Sequence, residues 1–137
     1  MTGYFWMNIL STIIIPQSST IKQERQTMTQ RKADLLQGTL NLLVLKTLDL
    51  GPLHGWAITK RIQQMSAGVL EVGQGSLYPA LHRLRDQGLI KSKWEISEEE
   101  KRVKVYELTR AGREALAKEQ DGFRLFVGAV ERILDTT

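Results

Sequence analysis

The chain has 137 residues, with 19 Lys and Arg against 15 Asp and Glu and a net charge of +4, a size that suits one small domain completed by a second subunit. It has no cysteine, which excludes disulfides and thiolate-bound metals and agrees with a reducing cytoplasm. A mildly basic balance permits nucleic acid as a partner without demanding it, so the position of the charges counts for more than their sum.

Residues 4–15, YFWMNILSTIII, form an apolar run ended by Pro16. The run is too short to cross a hydrocarbon core of about 30 Å as a helix. No Lys or Arg precedes Lys22, so the basic start of a signal peptide is missing. Residues 16–32 are polar and linker-like. The preferred reading makes residues 1–32 an extension from an upstream translation start, with the functional chain beginning near Met28. A membrane-surface anchor or an added dimer contact are the alternatives.

From residue 35 to 50 the pattern is helical but apolar on nearly every side, with Leu35, Leu36, Leu40, Leu42, Leu43, Val44, Leu45 and Leu48. Such a helix needs cover on most sides, and in so small a domain another subunit supplies it. Gly51-Pro52 stops it. A second helix over 55–67 turns Ile58, Ile62 and Met65 inward, and Lys60 and Arg61 on it are placed to clamp backbone phosphates. Gly68 ends this helix, and residues 69–72, Val-Leu-Glu-Val, read as a short strand. His54-Gly55-Trp56 reads as a turn with a packing aromatic.

Residues 75–90, GSLYPALHRLRDQGLI, predict a third helix with Gly75 and Ser76 as caps and Pro79 in its first turn. Leu77, Ala80, Leu81 and Leu84 share its buried face. Ser76, Tyr78, Pro79, His82 and Arg83 crowd the N-terminal half of the exposed face, where a DNA-reading helix carries its contacts. Arg83 can offer a bidentate fork to a guanine edge or a phosphate. After Gly88 the period changes: residues 89–96 and 103–108 alternate around the polar tip at 97–102, a β-hairpin. Thr109 then caps a helix to about Leu134. Its apolar positions, including Leu116, Phe123, Phe126, Val127, Val130 and Ile133, step by three and four residues like an interface seam. Trp94, Tyr106, Phe123 and Phe126 read as core or dimer interface.

Three helices followed by a hairpin predict a mainly α (α+β) fold, a winged helix-turn-helix domain over 33–108 with a long C-terminal dimerisation helix over 109–137. Catalysis is not expected. His54 and His82 fall on different elements without a carboxylate pattern, and no metal spacing, phosphate loop or nucleophile elbow is present. Cofactors and metals are therefore absent from the reading, as is a membrane partner.

Four segments, LLQGTLNLLVLKTL (35–48), GPLHGWAITKRI (51–62), GSLYPALHRLRDQGLI (75–90) and KVYELTRAGREAL (104–116), resemble a PadR-family transcriptional regulator. The single C-terminal helix is similar to the short subfamily. The resemblance implies a homodimeric repressor on an inverted-repeat, double-stranded DNA operator, released by an effector. It carries Ser76, Tyr78, Pro79, His82 and Arg83 over as recognition-helix contacts and Lys101, Arg102 and Lys104 as wing contacts. It implies a dimer held by the last helix with help from the first, through Leu36, Leu40, Leu43, Leu116, Phe123, Phe126, Val127, Val130 and Ile133, with Phe123 and Phe126 holding a small hydrophobic effector. The acidic tip Glu98-Glu99-Glu100 departs from a phosphate-facing wing. A small-molecule sensor and a protein–protein adaptor on the same fold are the rival readings.

Overall fold

The computed structural model of the chain describes residues 35, 36 and 38–137; the reading of residues 1–32, with its start near Met28, lies outside them. Residues 36–137 form one compact unit. Helix α1 (38–49) buries Leu40, Val44, Leu45 and Leu48. Thr47 is fully buried beside them, its hydroxyl donating to the Leu43 carbonyl at 2.7 Å, which satisfies the polar group inside the helix itself. Asn41, Lys46 and Asp49 are exposed, so α1 is less uniformly covered than its leucines suggest.

Past Gly51-Pro52, strand β1 (Leu53–His54) leads directly into helix α2 (Gly55–Met65). Ile58 and Ile62 are buried, but Met65 is half-exposed, because the inward row runs past the edge of the core at the last residue of the helix. Residues 69–72 form no strand. The Val69 amide donates to the Ser66 carbonyl at 3.1 Å and the Leu70 amide to the Ser66 hydroxyl at 3.0 Å. Donors spent on a local turn are not offered to a sheet.

Helix α3 (Gln74–Asp86) begins one residue before the expected caps: Gly73 is its N-cap, and its carbonyl accepts from the Ser76 and Leu77 amides. Gly75 and Ser76 therefore lie in the first turn and Pro79 in the second, where its ring leaves the Gly75 carbonyl without its usual intrahelical donor. The far end closes on Gly88 at φ +74°. There the Leu89 amide reaches the Leu84 carbonyl and the Gly88 amide the Arg85 carbonyl, both at 2.9 Å, the paired bonds that a left-handed glycine permits at a helix end.

Strands β2 (Ile90–Ile96) and β3 (Arg102–Leu108) pair antiparallel from Ile90↔Leu108 to Ile96↔Arg102, and β1 joins the other edge of β3 through Leu53↔Tyr106. The sheet order is β1-β3-β2. The connection at 97–101 lacks an Asn-Gly turn. Instead, Glu100 takes a left-handed φ of +60° and the Ser97 hydroxyl accepts from the Lys101 amide. Helix α4 (Arg110–Leu134) starts at Thr109, whose hydroxyl accepts from the Gly112 amide at 3.0 Å and donates to the Gly88 carbonyl at 2.7 Å. The core gathers Leu40, Leu45, Ile58, Leu77, Leu81, Leu84, Ile90, Tyr106 and Leu116 under all four helices and the sheet base.

Candidate nucleic-acid interface

One face of α3 is committed to the core through Leu77, Ala80, Leu81 and Leu84, all buried. The register of 3.6 residues per turn then forces Ser76, Tyr78, Pro79, His82 and Arg83 outward, and all five are exposed. No carboxylate among the described residues pairs with Arg83, whereas its neighbour Arg85 lies 3.9 Å from Asp86. Tyr78 also braces the helix. Its phenol lies over the start of α2, so close that a Cβ at Gly55 would stand 2.7 Å from its hydroxyl oxygen. Gln74 donates to the Thr59 hydroxyl at 3.4 Å across the same junction. These contacts hold the N-terminal half of α3 against α2 at a fixed angle.

On α2, Lys60 is exposed and Arg61 half-buried. The Lys60 ammonium sits 5.1 Å from the Trp56 ring centroid, and the His54 ring stacks on Trp56 from 6.3 Å. Trp56 is 59 % exposed, so it is a surface platform for a cation and not the packing aromatic that its sequence context suggests.

The hairpin divides into two faces, because residues directly opposite in an antiparallel pair point to the same side. One face begins with the core pairs Ile90↔Leu108 and Ser92↔Tyr106, then continues outward as Trp94↔Lys104 and Ile96↔Arg102. Trp94 is 55 % exposed, which removes the core half of its core-or-interface reading: it stands just beyond the rim of the core on the core-facing side. Its ring carries the Arg102 guanidinium at 4.5 Å and the Lys104 ammonium at 5.8 Å. On the other face Lys91 pairs with Glu107 at 3.4 Å and Lys93 with Glu95 at 3.2 Å. Lys101, at the acidic tip, lies 3.7 Å from Glu99. The three wing residues read from the sequence therefore separate into Arg102 and Lys104 on the aromatic and Lys101 on a carboxylate.

Tyr106 is buried where β1, β3 and α3 converge. Burial pushes its phenol above the usual 10.0, the neighbouring Tyr78 adds to the rise and Arg85 opposes it. The hydroxyl stays neutral across the physiological range and adds no charge to this surface.

Helix α4 buries only Gly112 and Leu116. Beyond them Phe123, Phe126 and Ile133 are exposed and Val127 and Val130 half-buried. Leu134, at the end of the same seam, is exposed as well, and Leu125 adds exposed apolar surface that the seam read from the sequence left out. Two expected interface residues drop away: Leu40 is 1 % and Leu116 5 % exposed within the chain's own core, so neither has surface to offer a second subunit. Leu36 and Leu43 remain half-covered. Between α1 and α4 runs an open groove of about 540 Å³, with Leu42, Leu45, Leu84, Phe123 and Phe126 among its walls.

Among the described residues no helix is long and apolar enough to cross a membrane, and no cluster of His, Asp and Glu is placed to hold a metal.

Residues 44–118 match the model of the transcriptional regulator PadR-like family. A PadR-family transcriptional regulator from Eggerthella lenta superposes with a TM-score of 0.73 at 27% identity, over 85% of this chain and 99% of that one. PadR from Bacillus subtilis, solved in complex with operator DNA, superposes at 0.55 with 27% identity, over 60% of this chain and 46% of its own. In sequence, an uncharacterised 37.1 kDa protein of transposon TN4556 from Streptomyces fradiae is 43% identical over 89 residues, which is 65% of this chain and 24% of that protein. The chain thus spans about a quarter of the length of this curated relative. With the match running from the middle of α1 through the sheet into α4, over more than half of its length, the chain belongs to the transcriptional regulator PadR-like family.

Proposed function

We propose that this chain is a homodimeric, cytoplasmic repressor that binds an inverted-repeat operator in duplex DNA through α3 and the β2–β3 wing. The observation that carries the reading is the outward face of α3, where Ser76, Tyr78, Pro79, His82 and Arg83 stand together while the inward face is locked in the core. The DNA-bound Bacillus subtilis relative supports duplex DNA as the partner. Arg83 reads a guanine edge or grips a phosphate; Lys60 and Arg61 on α2, and Arg102 and Lys104 on the wing, hold the backbone on either side. Residues 33–108 act as the reading head and residues 109–137 as the dimerisation helix. A regulator of this family has no bond to make or break, and the chain is not an enzyme.

The groove beside Phe123 and Phe126 supports release by a small hydrophobic effector, and it favours a small-molecule sensor as the second reading. Bound at the seam, such a molecule would shift the population towards a dimer whose two α3 helices no longer match successive half-sites.

The deciding experiment is fluorescence anisotropy of a labelled duplex from the gene's own upstream region, against a random duplex, at several salt concentrations. Tight, salt-sensitive binding by the wild type is expected, with Arg83→Ala losing about 1–3 kcal/mol of preference for the upstream duplex. If neither duplex binds at low salt, or Arg83→Ala matches the wild type, the assignment of α3 as the reading helix is overturned.

A further inference from the structure

The hairpin's basic residues are not equivalent. Lys91, Lys93 and Lys101 each face a carboxylate within 4 Å. Arg102 and Lys104 face none among the described residues; both instead rest on the indole of Trp94. A carboxylate partner neutralises a cation before any phosphate arrives. A ring quadrupole holds the cation in place and leaves its charge whole.

The register explains the arrangement. Trp94 and Lys104 are direct cross-strand partners, and Arg102 is the diagonal neighbour one pair closer to the tip. All three lie on the strip that continues outward from Tyr106, which is buried in one cluster with Leu77, Leu81 and Leu84 of α3. The strip thus leads from the reading helix along the wing. The indole is 55 % exposed and carries both cations over its ring.

The geometry points to Trp94 as the positioning residue of the wing: its ring holds Arg102 and Lys104 side by side as an ordered pair of unneutralised cations for two phosphates of a duplex backbone. This rests on the DNA-binding reading of the chain and names the part of the wing that contributes to it. Without the ring, two long flexible side chains must be ordered at the moment of binding, at an entropic cost that the free protein has already met. Ile96, exposed on the same strip, adds apolar surface but no positioning.

The test uses the full chain and a labelled random-sequence duplex across a salt series, so that base-specific contacts play no part. Wild type is compared with Trp94→Leu, Trp94→Phe, Arg102→Ala/Lys104→Ala and the triple variant with Trp94→Leu, each checked by thermal melting. The double cation variant is expected to flatten the dependence of log affinity on log salt by about two phosphate equivalents. Trp94→Leu is expected to weaken binding about two- to five-fold, Trp94→Phe to retain most of the affinity, and Trp94→Leu to have no further effect once both cations are gone. An equal loss from Trp94→Leu with and without the cations would mean that the indole touches DNA on its own account, and would overturn the positioning role. No loss at all would overturn it too. If the wild type binds no duplex at low salt, the DNA-binding reading falls first and this inference falls with it; if the wild type binds and only the Trp94 comparisons fail, the regulator reading stands.

Discussion

At Gly112 there is no room for a side chain: a Cβ there would run into the Leu89 carbonyl oxygen and the Leu108 side chain. Around it, the Thr109 amide donates to the Leu89 carbonyl at 3.1 Å, and the Thr109 hydroxyl joins the Gly88 carbonyl to the Gly112 amide. This accounts for Leu-Thr-x-x-Gly as a physical unit: a core leucine, a capping threonine, and a glycine where the first turn of α4 meets the end of α3. Gly112→Ala is expected to cost about 1–3 kcal/mol from overpacking against backbone that cannot move aside; urea denaturation measures it, and an unchanged midpoint would contradict the contact. Tyr106 makes a prediction about pH. Its pKa is raised in the fold, so the stability it contributes is fully present below about pH 10 and is lost as pH climbs through the higher folded value. Above about pH 10 the wild type should lose stability faster than Tyr106→Phe; parallel curves would show that Tyr106 does not drive the alkaline loss.

At the scale of elements, legibility followed periodicity. The buried face of α3, the alternating strands of the hairpin and the Thr109 cap could all be read from the sequence because each repeats, or punctuates a repeat, over several residues. β1 could not, since two residues cannot show an alternation; only the pairing of Leu53 with Tyr106 and His54 with Val105 makes them a strand. Residues 69–72 had strand-like composition, but Ser66 captured the Val69 and Leu70 amides in a local turn. The packing role read for Trp56 and the core alternative for Trp94 failed for one shared reason. Aromatic side chains suggest the interior, and nothing along the chain reveals that a cation from the next turn or the facing strand will lie over each ring. The five outward residues of α3 followed directly from the inward leucines, whereas the division of Lys101 from Arg102 and Lys104 depends on hairpin register and on which carboxylates lie nearby.

At the scale of the whole molecule, the uncovered length of α4 is what supports the proposed dimer. A helix of 25 residues with burial confined to its first two turns, and with Phe126 66 % exposed, presents the kind of apolar stripe that a second subunit would cover. The proposed dimer therefore predicts that Phe126→Glu shifts sedimentation from two chains to one without unfolding the reading head. It also predicts that random-duplex affinity falls, because a single head meets half the phosphates; a Phe126→Glu chain that still sediments as the wild type would remove α4 from the interface. The bonds that join Thr109 to Gly88 and Leu89 have a mechanical consequence. They join the end of α3 to the foot of α4, which makes of the two one lever whose long arm, α4, is about 37 Å at 1.5 Å per residue. Pivoting it by about 10° at Phe126, about 24 Å from the foot, carries that foot through about 4 Å, a little over one base-pair step of about 3.4 Å. On the proposed reading, a molecule wedged between the phenylalanines puts the two α3 helices of a dimer out of step with the DNA without disturbing any residue assigned to contact it.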